Sequence, residues 1–235
     1  MIWQILLFKL RDSMKKIIPF LIIVLILFAS CIVEPEEPAS KKTDTNGIVT
    51  SGISVGKVTI GSHETFQLFG LVQNKSSETK ELIEYKVDWL DSSDTVLLSE
   101  NKIVARLEPG QSIPIWCYHS NEEEISILEA FTHVRITFTS AYKDCGLYST
   151  SFAFSDISFY TVGGITKVSG TLTNNSKYPL SQICIEASAL NSSGKCFDYA
   201  IDYMPEMTMA AGQSISFTLT LEQGATNVFY CSGKK

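Results

Sequence analysis

From residue 48 onward the chain alternates apolar and polar positions in short runs. Tyr85, Val87 and Trp89 alternate with Lys86 and Asp88, and Val134, Ile136 and Phe138 with Arg135 and Thr137. Ile183, Ile185, Ala187 and Ala189 alternate with Cys184, Glu186 and Ser188, and Ile215, Phe217, Leu219 and Leu221 with Ser216, Thr218 and Thr220. Successive side chains of a strand point to opposite faces, so a period of two rich in β-branched and aromatic residues predicts half-buried strands. The breaks carry turn chemistry: Asn74 with Ser76, Asp91 to Asp94, Pro109-Gly110 and Asn191 to Gly194. No helical period is sustained beyond residue 48. The acidic insert Asn121 to Ala130 has room for one or two helical turns.

The pattern occurs twice. Gly70-Leu71-Val72-Gln73-Asn74-Lys75-Ser76 recurs as Gly170-Thr171-Leu172-Thr173-Asn174-Asn175-Ser176, and Leu90-Asp91-Ser92-Ser93-Asp94 as Leu190-Asn191-Ser192-Ser193-Gly194, both at an offset of 100. Pro109-Gly110-Gln111-Ser112-Ile113 recurs as Ala211-Gly212-Gln213-Ser214-Ile215 at an offset of 102. This period is too long for a solenoid and suits a tandem pair of small β-domains. The expected fold is all-β: two tandem immunoglobulin-like β-sandwich domains, residues 48–149 and 150–235, each of about seven strands.

The N-terminus has a different grammar. Residues 1–30 carry Lys9, Arg11, Lys15 and Lys16 against Asp12, then an apolar stretch from Ile17, then Ala29-Ser30-Cys31. A basic head, a short apolar run and small residues at its end form a secretory signal. The run falls short of the ~20 residues of a bilayer span, and acidic Glu34-Pro35-Glu36-Glu37-Pro38 follows it. Phe28-Ala29-Ser30-Cys31 resembles the lipobox of bacterial lipoproteins, with Phe28 where the family usually has an aliphatic residue. The resemblance implies a signal peptide over 1–30, acylation of Cys31 and a membrane-anchored place in the cell envelope, outside the cytoplasm. Met14-Lys15-Lys16 is the more ordinary start for such a signal, which would make residues 1–13 an upstream mis-start. The competing reading is an uncleaved anchor helix with Cys31 unmodified. Residues 31–47, acidic and proline-bearing without an apolar period, read as a short disordered linker acting as a lipidated tether.

The repeated signals Gly-x-x-x-Asn-x-Ser, an aspartate turn after a strand, and Leu107-Glu108-Pro109-Gly110-Gln111 resemble the FxLYD-type domain of bacterial envelope proteins. The naming motif falls on Val87-Asp88-Trp89-Leu90-Asp91 and, degenerately, on Ala187-Ser188-Ala189-Leu190-Asn191. The resemblance covers most of residues 48–232 and implies a sandwich fold without a catalytic site.

Charge narrows the partners. Residues 1–30 hold four of the 19 basic and one of the 25 acidic residues, so the remainder carries 15 against 24, a net charge of −9. That excludes nucleic acid, which selects basic surfaces, and leaves the membrane contact to the lipid. The expected partners are the membrane, through that lipid, and an envelope protein or polysaccharide.

Chemistry-bearing residues are sparse. With Cys31 on lipid, the odd five cysteines 117, 145, 184, 196 and 231 remain. Cys117 shares the face of Ile113 and Ile115 and reads as a core thiol. Aligning Val228 and Tyr230 with Val134 and Ile136 turns Cys231 outward, beside Cys184, so a Cys184–Cys231 cross-strand bridge is expected. Cys117 and His119 precede Glu122-Glu123-Glu124, yet no second pair with zinc spacing exists, so no metal and no cofactor is expected. Glu84, Asp88 and Asp91 lie along one strand, which polar surface and turn capping explain. No nucleophile elbow, Ser-x-x-Lys or phosphate loop occurs, Gly163-Gly164 being a hairpin signal. Trp116 and Tyr118 share an outer strand face and are the candidate binding aromatics, for a partner or a seam between domains. The function expected is a non-catalytic, lipid-anchored binding or structural module. The alternative is an accessory enzyme or metal-binding envelope protein with a site at the domain seam.

Overall fold

The computed structural model describes residues 45–60 and 63–235. The signal segment, Cys31 and most of the tether lie outside the described residues. The alternating runs become strands β1 (Ile48–Ile60), β2 (His63–Asn74), β3 (Lys80–Leu90), β4 (Val96–Leu107), β5 (Ser112–His119) and β6 (His133–Lys143). After β7 (Tyr148–Ser149), the second repeat runs β8 (Phe152–Val162), β9 (Ile165–Asn174), β10 (Leu180–Leu190), β11 (Cys196–Met209), β12 (Ser214–Thr220) and β13 (Thr226–Lys234). All pairings are antiparallel.

In the first repeat the sheets β1-β2-β5 and β4-β3-β6 face each other, and in the second β8-β9-β12 faces β11-β10-β13-β7. Each copy therefore supplies six strands, one fewer than the sequence led us to expect. The additional short strand β7, within the span assigned to the first repeat, pairs with β13 of the second.

Each copy has its own core of inward residues. The first gathers Leu68, Ile83, Val87, Trp89, Leu107 and Ile115, and the second Val168, Leu172, Ile183, Ile185, Leu219 and Leu221. Burying a side chain of this size contributes about 1.5–3 kcal/mol. The acidic insert forms α1 (Glu122–Leu128) in the first copy alone. Asn121 caps it by accepting from the amides of Glu123 (2.9 Å) and Glu124 (3.2 Å), the first-turn glutamates suit the helix dipole, and Leu128 anchors it in the core.

The repeat extends to backbone irregularities that the letters conceal. β1 and β8 both bulge, with Gly52 (φ 62°) and Asp156 (φ 55°) in the left-handed region. β3 and β10 bulge at Leu82 (φ 46°) and Gln182 (φ 51°). Glycine makes the first of these conformations easy; leucine and glutamine adopt theirs against a steric penalty. The described residues form one compact unit containing both repeats.

Candidate functional site

The repeated polar motifs prove to be fasteners at the ends of the sheets. Asn74 is fully buried; its amide donates to the carbonyls of Glu78 (2.8 Å) and Leu107 (3.0 Å), and its oxygen accepts from the amide of Ser76 (3.0 Å). Asn174 repeats the arrangement with Tyr178, Met209 and Ser176. The Gln111 and Gln213 side chains accept from the amides of Glu108 and Ala210, closing the Gly-Gln turns. Asp91 and Asn191 accept backbone amides of the following turns, from Ser93 and Thr95 and from Ser193 and Lys195. These side chains are occupied in holding the chain's own backbone.

The strand carboxylates are similarly engaged. Buried Asp88 meets Ser99 (2.7 Å), Lys86 (3.0 Å) and Arg135 (3.1 Å), and Glu84 accepts from Ser140. Buried Glu81 accepts from Arg106 (2.7 Å) and from the amides of Cys145 and Tyr148, while Arg106 also grips Glu108 and Asp144. This network ties down the segment joining the two repeats.

His119 lies between Glu100 and Glu124, at 2.9 Å from each, edge-on to Trp89. Burial opposes its protonation, but the two carboxylates raise its pKa above the ordinary histidine value. Burial likewise opposes ionisation of Glu100, yet His119 and Lys102 hold that carboxyl down at about 2. Cys117, beneath them on the same face, is buried, and burial pushes its thiol up to about 12. Among the described residues, no group of three or more His, Cys, Asp or Glu side chains is placed to hold a metal ion.

The expected Cys184–Cys231 bridge is not formed; both thiols are free, as are Cys117, Cys145 and Cys196. Strand β13 pairs Phe229 with Ala187 and Cys231 with Ile185, whereas β6 pairs Ile136 with Val87 and Phe138 with Tyr85. Phe229, not Tyr230, is therefore the counterpart of Ile136. A one-residue slip exchanges the two faces of a strand. Cys231 thus points into the second core while Cys184 points out.

The same slip turns Tyr230 outward, and that side chain joins the repeats. Tyr230 is 1% exposed, belongs to the first core, and donates from its hydroxyl to the Arg106 carbonyl at 2.7 Å. Beside it, Leu71 and Phe69 of the first repeat pack with Leu190, Cys196 and Val228 of the second. Trp116 stacks on Tyr199 with ring centroids 5.3 Å apart, and Tyr118 lies 6.5 Å from Trp116. Both candidate aromatics therefore border the seam while remaining 39% and 44% exposed.

Within the seam lies a cleft of about 240 Å³. The first repeat supplies an aliphatic wall of Leu82, Ile103, Val104, Ala105 and Ile113. The second supplies Gln182, Cys184, Glu186, Tyr203, Tyr230 and Ser232, and Tyr148 of β7 completes the lining. The left-handed bulges of β3 and β10, Leu82 and Gln182, contribute to it. Glu186 is the acidic group of this lining. Burial pushes its carboxyl up to about 7, against the Tyr199 hydroxyl (2.9 Å) and the Cys184 thiol (3.8 Å) that donate to it. Burial, with Glu186 alongside, pushes the Cys184 thiol up to about 12, so it stays protonated at neutral pH.

Sequence reasoning missed Glu186 and Tyr230. The visible signal was a glutamate on a strand position where the first repeat has Lys86, but nothing local shows that this face is covered.

No protein-family model matches the chain, and no curated protein matches it. Among solved structures, the chain aligns with the crystal structure of red sea bream transglutaminase at 7% identity, over 79% of this chain and 29% of that one, with a TM-score of 0.25. It also aligns with the N-terminal CBM22-1–CBM22-2 tandem domain of Paenibacillus barcinonensis Xyn10C at 11% identity, over 83% and 88% of the two chains, with a TM-score of 0.14. The chain is thus similar to less than a third of the length of the transglutaminase.

Proposed function

We propose that this protein is a lipid-anchored, non-catalytic binding module of the bacterial cell envelope, with two FxLYD-like sandwiches presented on an acidic tether behind Cys31. The observation that carries the reading is the seam. Tyr230 inserts from the second repeat into the core of the first, so two small sandwiches become one stiff body with a cleft lined by both. Stiffness lowers the ordering cost of binding, which favours presentation of a surface to a partner. The repeated polar motif residues serve as turn fasteners, and the exposed aromatics Trp116 and Tyr118 gather beside the seam. No helix among the described residues is long and apolar enough to cross a membrane. The reading places attachment at a lipid on Cys31, on the strength of the lipobox resemblance of Phe28-Ala29-Ser30-Cys31.

Mass spectrometry of the chain purified from bacterial membranes tests the anchor. The expected N-terminus is an acylated Cys31, and Cys31→Ala should release the chain from the membrane fraction. An intact Met1 or Met14 on the mature protein would overturn the lipoprotein reading.

A further inference from the structure

We propose that the seam cleft binds an alkylammonium group, with Glu186 as its counter-ion and the aliphatic wall of the first repeat as the bed for its methylene chain. This deepens the binding-module reading by naming the chemistry that its cleft accepts.

Glu186 carries the argument. Its described hydrogen bonds come from the Tyr199 hydroxyl and the Cys184 thiol, both neutral donors. No basic side chain is described in an ion pair with it. Three other withdrawn carboxylates are ion-paired within the fold: Glu81 has Arg106, Asp88 has Lys86 and Arg135, and Glu100 has Lys102. A carboxylate withdrawn from water without a cation is unfavourable. Placing one at the wall of a cleft leaves room for the missing charge to come from outside.

The remaining lining specifies which cation. A divalent metal ion selects several oxygen or nitrogen ligands, whereas the cleft offers one carboxylate. An organic cation instead uses both walls. Its charge meets Glu186, beside Tyr203 in the lining, while its hydrocarbon part covers Ile103 and Val104, Ile103 being 59% exposed without it. The volume of about 240 Å³ lies below the ~300–1,000 Å³ of pockets for drug-sized ligands, so it suits one alkylammonium chain. The acidic balance of the chain beyond the signal attracts such cations. A free amine and a lysine side chain of a partner protein share this chemistry.

Few other titratable groups complicate the site. Cys184 lies on the same strand, Tyr199 and Tyr203 come from β11, Tyr230 from β13 and Tyr148 from β7. Asp202 of β11 acts on Cys184. Strands β4 and β5 present Ile103, Val104, Ala105 and Ile113 to the cleft, none of them ionisable, while the charge of Glu186 also acts on Tyr85 of β3 and Cys231 of β13.

Calorimetric titration of the full-length chain in mild detergent tests the proposal, with n-pentylamine as probe and n-pentanol as its neutral counterpart. Pentylammonium should bind about tenfold more tightly at pH 8.5, where Glu186 is ionised, than at pH 5.5, and pentanol should bind more weakly at both. In Glu186→Gln, pentylammonium affinity should fall about tenfold or more, the loss of one charge-assisted hydrogen bond, while far-ultraviolet circular dichroism stays unchanged. A third titrant, acetyl-Gly-Lys-Gly-amide, separates the sources: binding comparable to pentylamine assigns the cleft to a partner's lysine, and binding of pentylamine alone assigns it to a small amine. Equal affinity for amine and alcohol, an unchanged affinity in Glu186→Gln, or no binding of pentylamine overturns the proposal. An unmodified Cys31 in a chain that binds pentylamine would sink the lipoprotein reading and leave this one standing.

Discussion

At the scale of single residues, Glu186 and Asn74 show two opposite uses of a buried polar group. Asn74 satisfies its amide and its oxygen within the fold, and its repeat Asn174 does the same, which explains why that motif recurs. Glu186 is held by neutral donors, and its pKa of about 7 against an ordinary 4.5 has a thermodynamic consequence. Below pH 4.5 the group is protonated in both folded and unfolded chains. As the pH rises through 7, the unfolded chain ionises first, so the stability present at low pH is lost across this window. Partial exposure of the side chain limits the loss to about 2 kcal/mol. Glu186→Gln should therefore be more stable than the native chain at pH 8.5 by about that amount and nearly equal to it at pH 4, as measured by urea unfolding. The contribution of Glu100, lost only as pH falls from 4.5 through about 2, is common to both proteins and cancels in the comparison. An identical pH profile for the two chains would refute the assignment.

Strands provide the next scale, and their bulges decide what touches what. The alternation in β3, β10 and β12 revealed inward faces directly, because Tyr85, Val87 and Trp89, Ile183, Ile185, Ala187 and Ala189, and Phe217 and Leu219 each face their own core. β13 was read one residue out of register, since Val228, Phe229, Tyr230 and Cys231 are all acceptable inside a core and local pattern gives them no phase. Its phase is set by hydrogen bonding to β10, which pairs Cys231 with Ile185. The bulge at Gly52 was equally hidden. A Cβ there would lie 2.7 Å from the Gly194 carbonyl oxygen of the other repeat, in a backbone at φ 62°. Gly52→Ala should cost about 1–3 kcal/mol, combining left-handed strain with a pried seam. Gly56→Ala, four residues along the same strand with nothing within 4 Å of its Cβ, should be neutral or slightly stabilising. Thermal unfolding of the pair checks this; equal melting temperatures would remove Gly52 from the seam.

For the whole molecule, the question is whether two sandwiches unfold as one. Tyr230 is the coupling element: its ring fills the first core from the second repeat's sheet and its hydroxyl reaches the Arg106 carbonyl. Tyr230→Ala should cost about 3–5 kcal/mol through the cavity it leaves, and should split one calorimetric transition into two. Tyr230→Phe, which keeps the ring, should cost about 1 kcal/mol and preserve a single transition. A single sharp transition in Tyr230→Ala would show that the Leu71–Cys196 and Trp116–Tyr199 contacts suffice to couple the halves.

The sequence by itself determined the all-β class, the two copies and the turn positions, and left room for α1, because period and turn chemistry act over a few neighbouring residues. Trp116 and Tyr118 were visible as outer-face aromatics for the same reason. What only the tertiary structure decided was the face of Cys231, the insertion of Tyr230, and the meeting of Glu186 with Tyr199 and an aliphatic wall from the other repeat. These depend on strand register and on packing between residues a hundred or more positions apart. Local pattern records which face of a strand is apolar; the packing of the whole chain decides which polar face is covered.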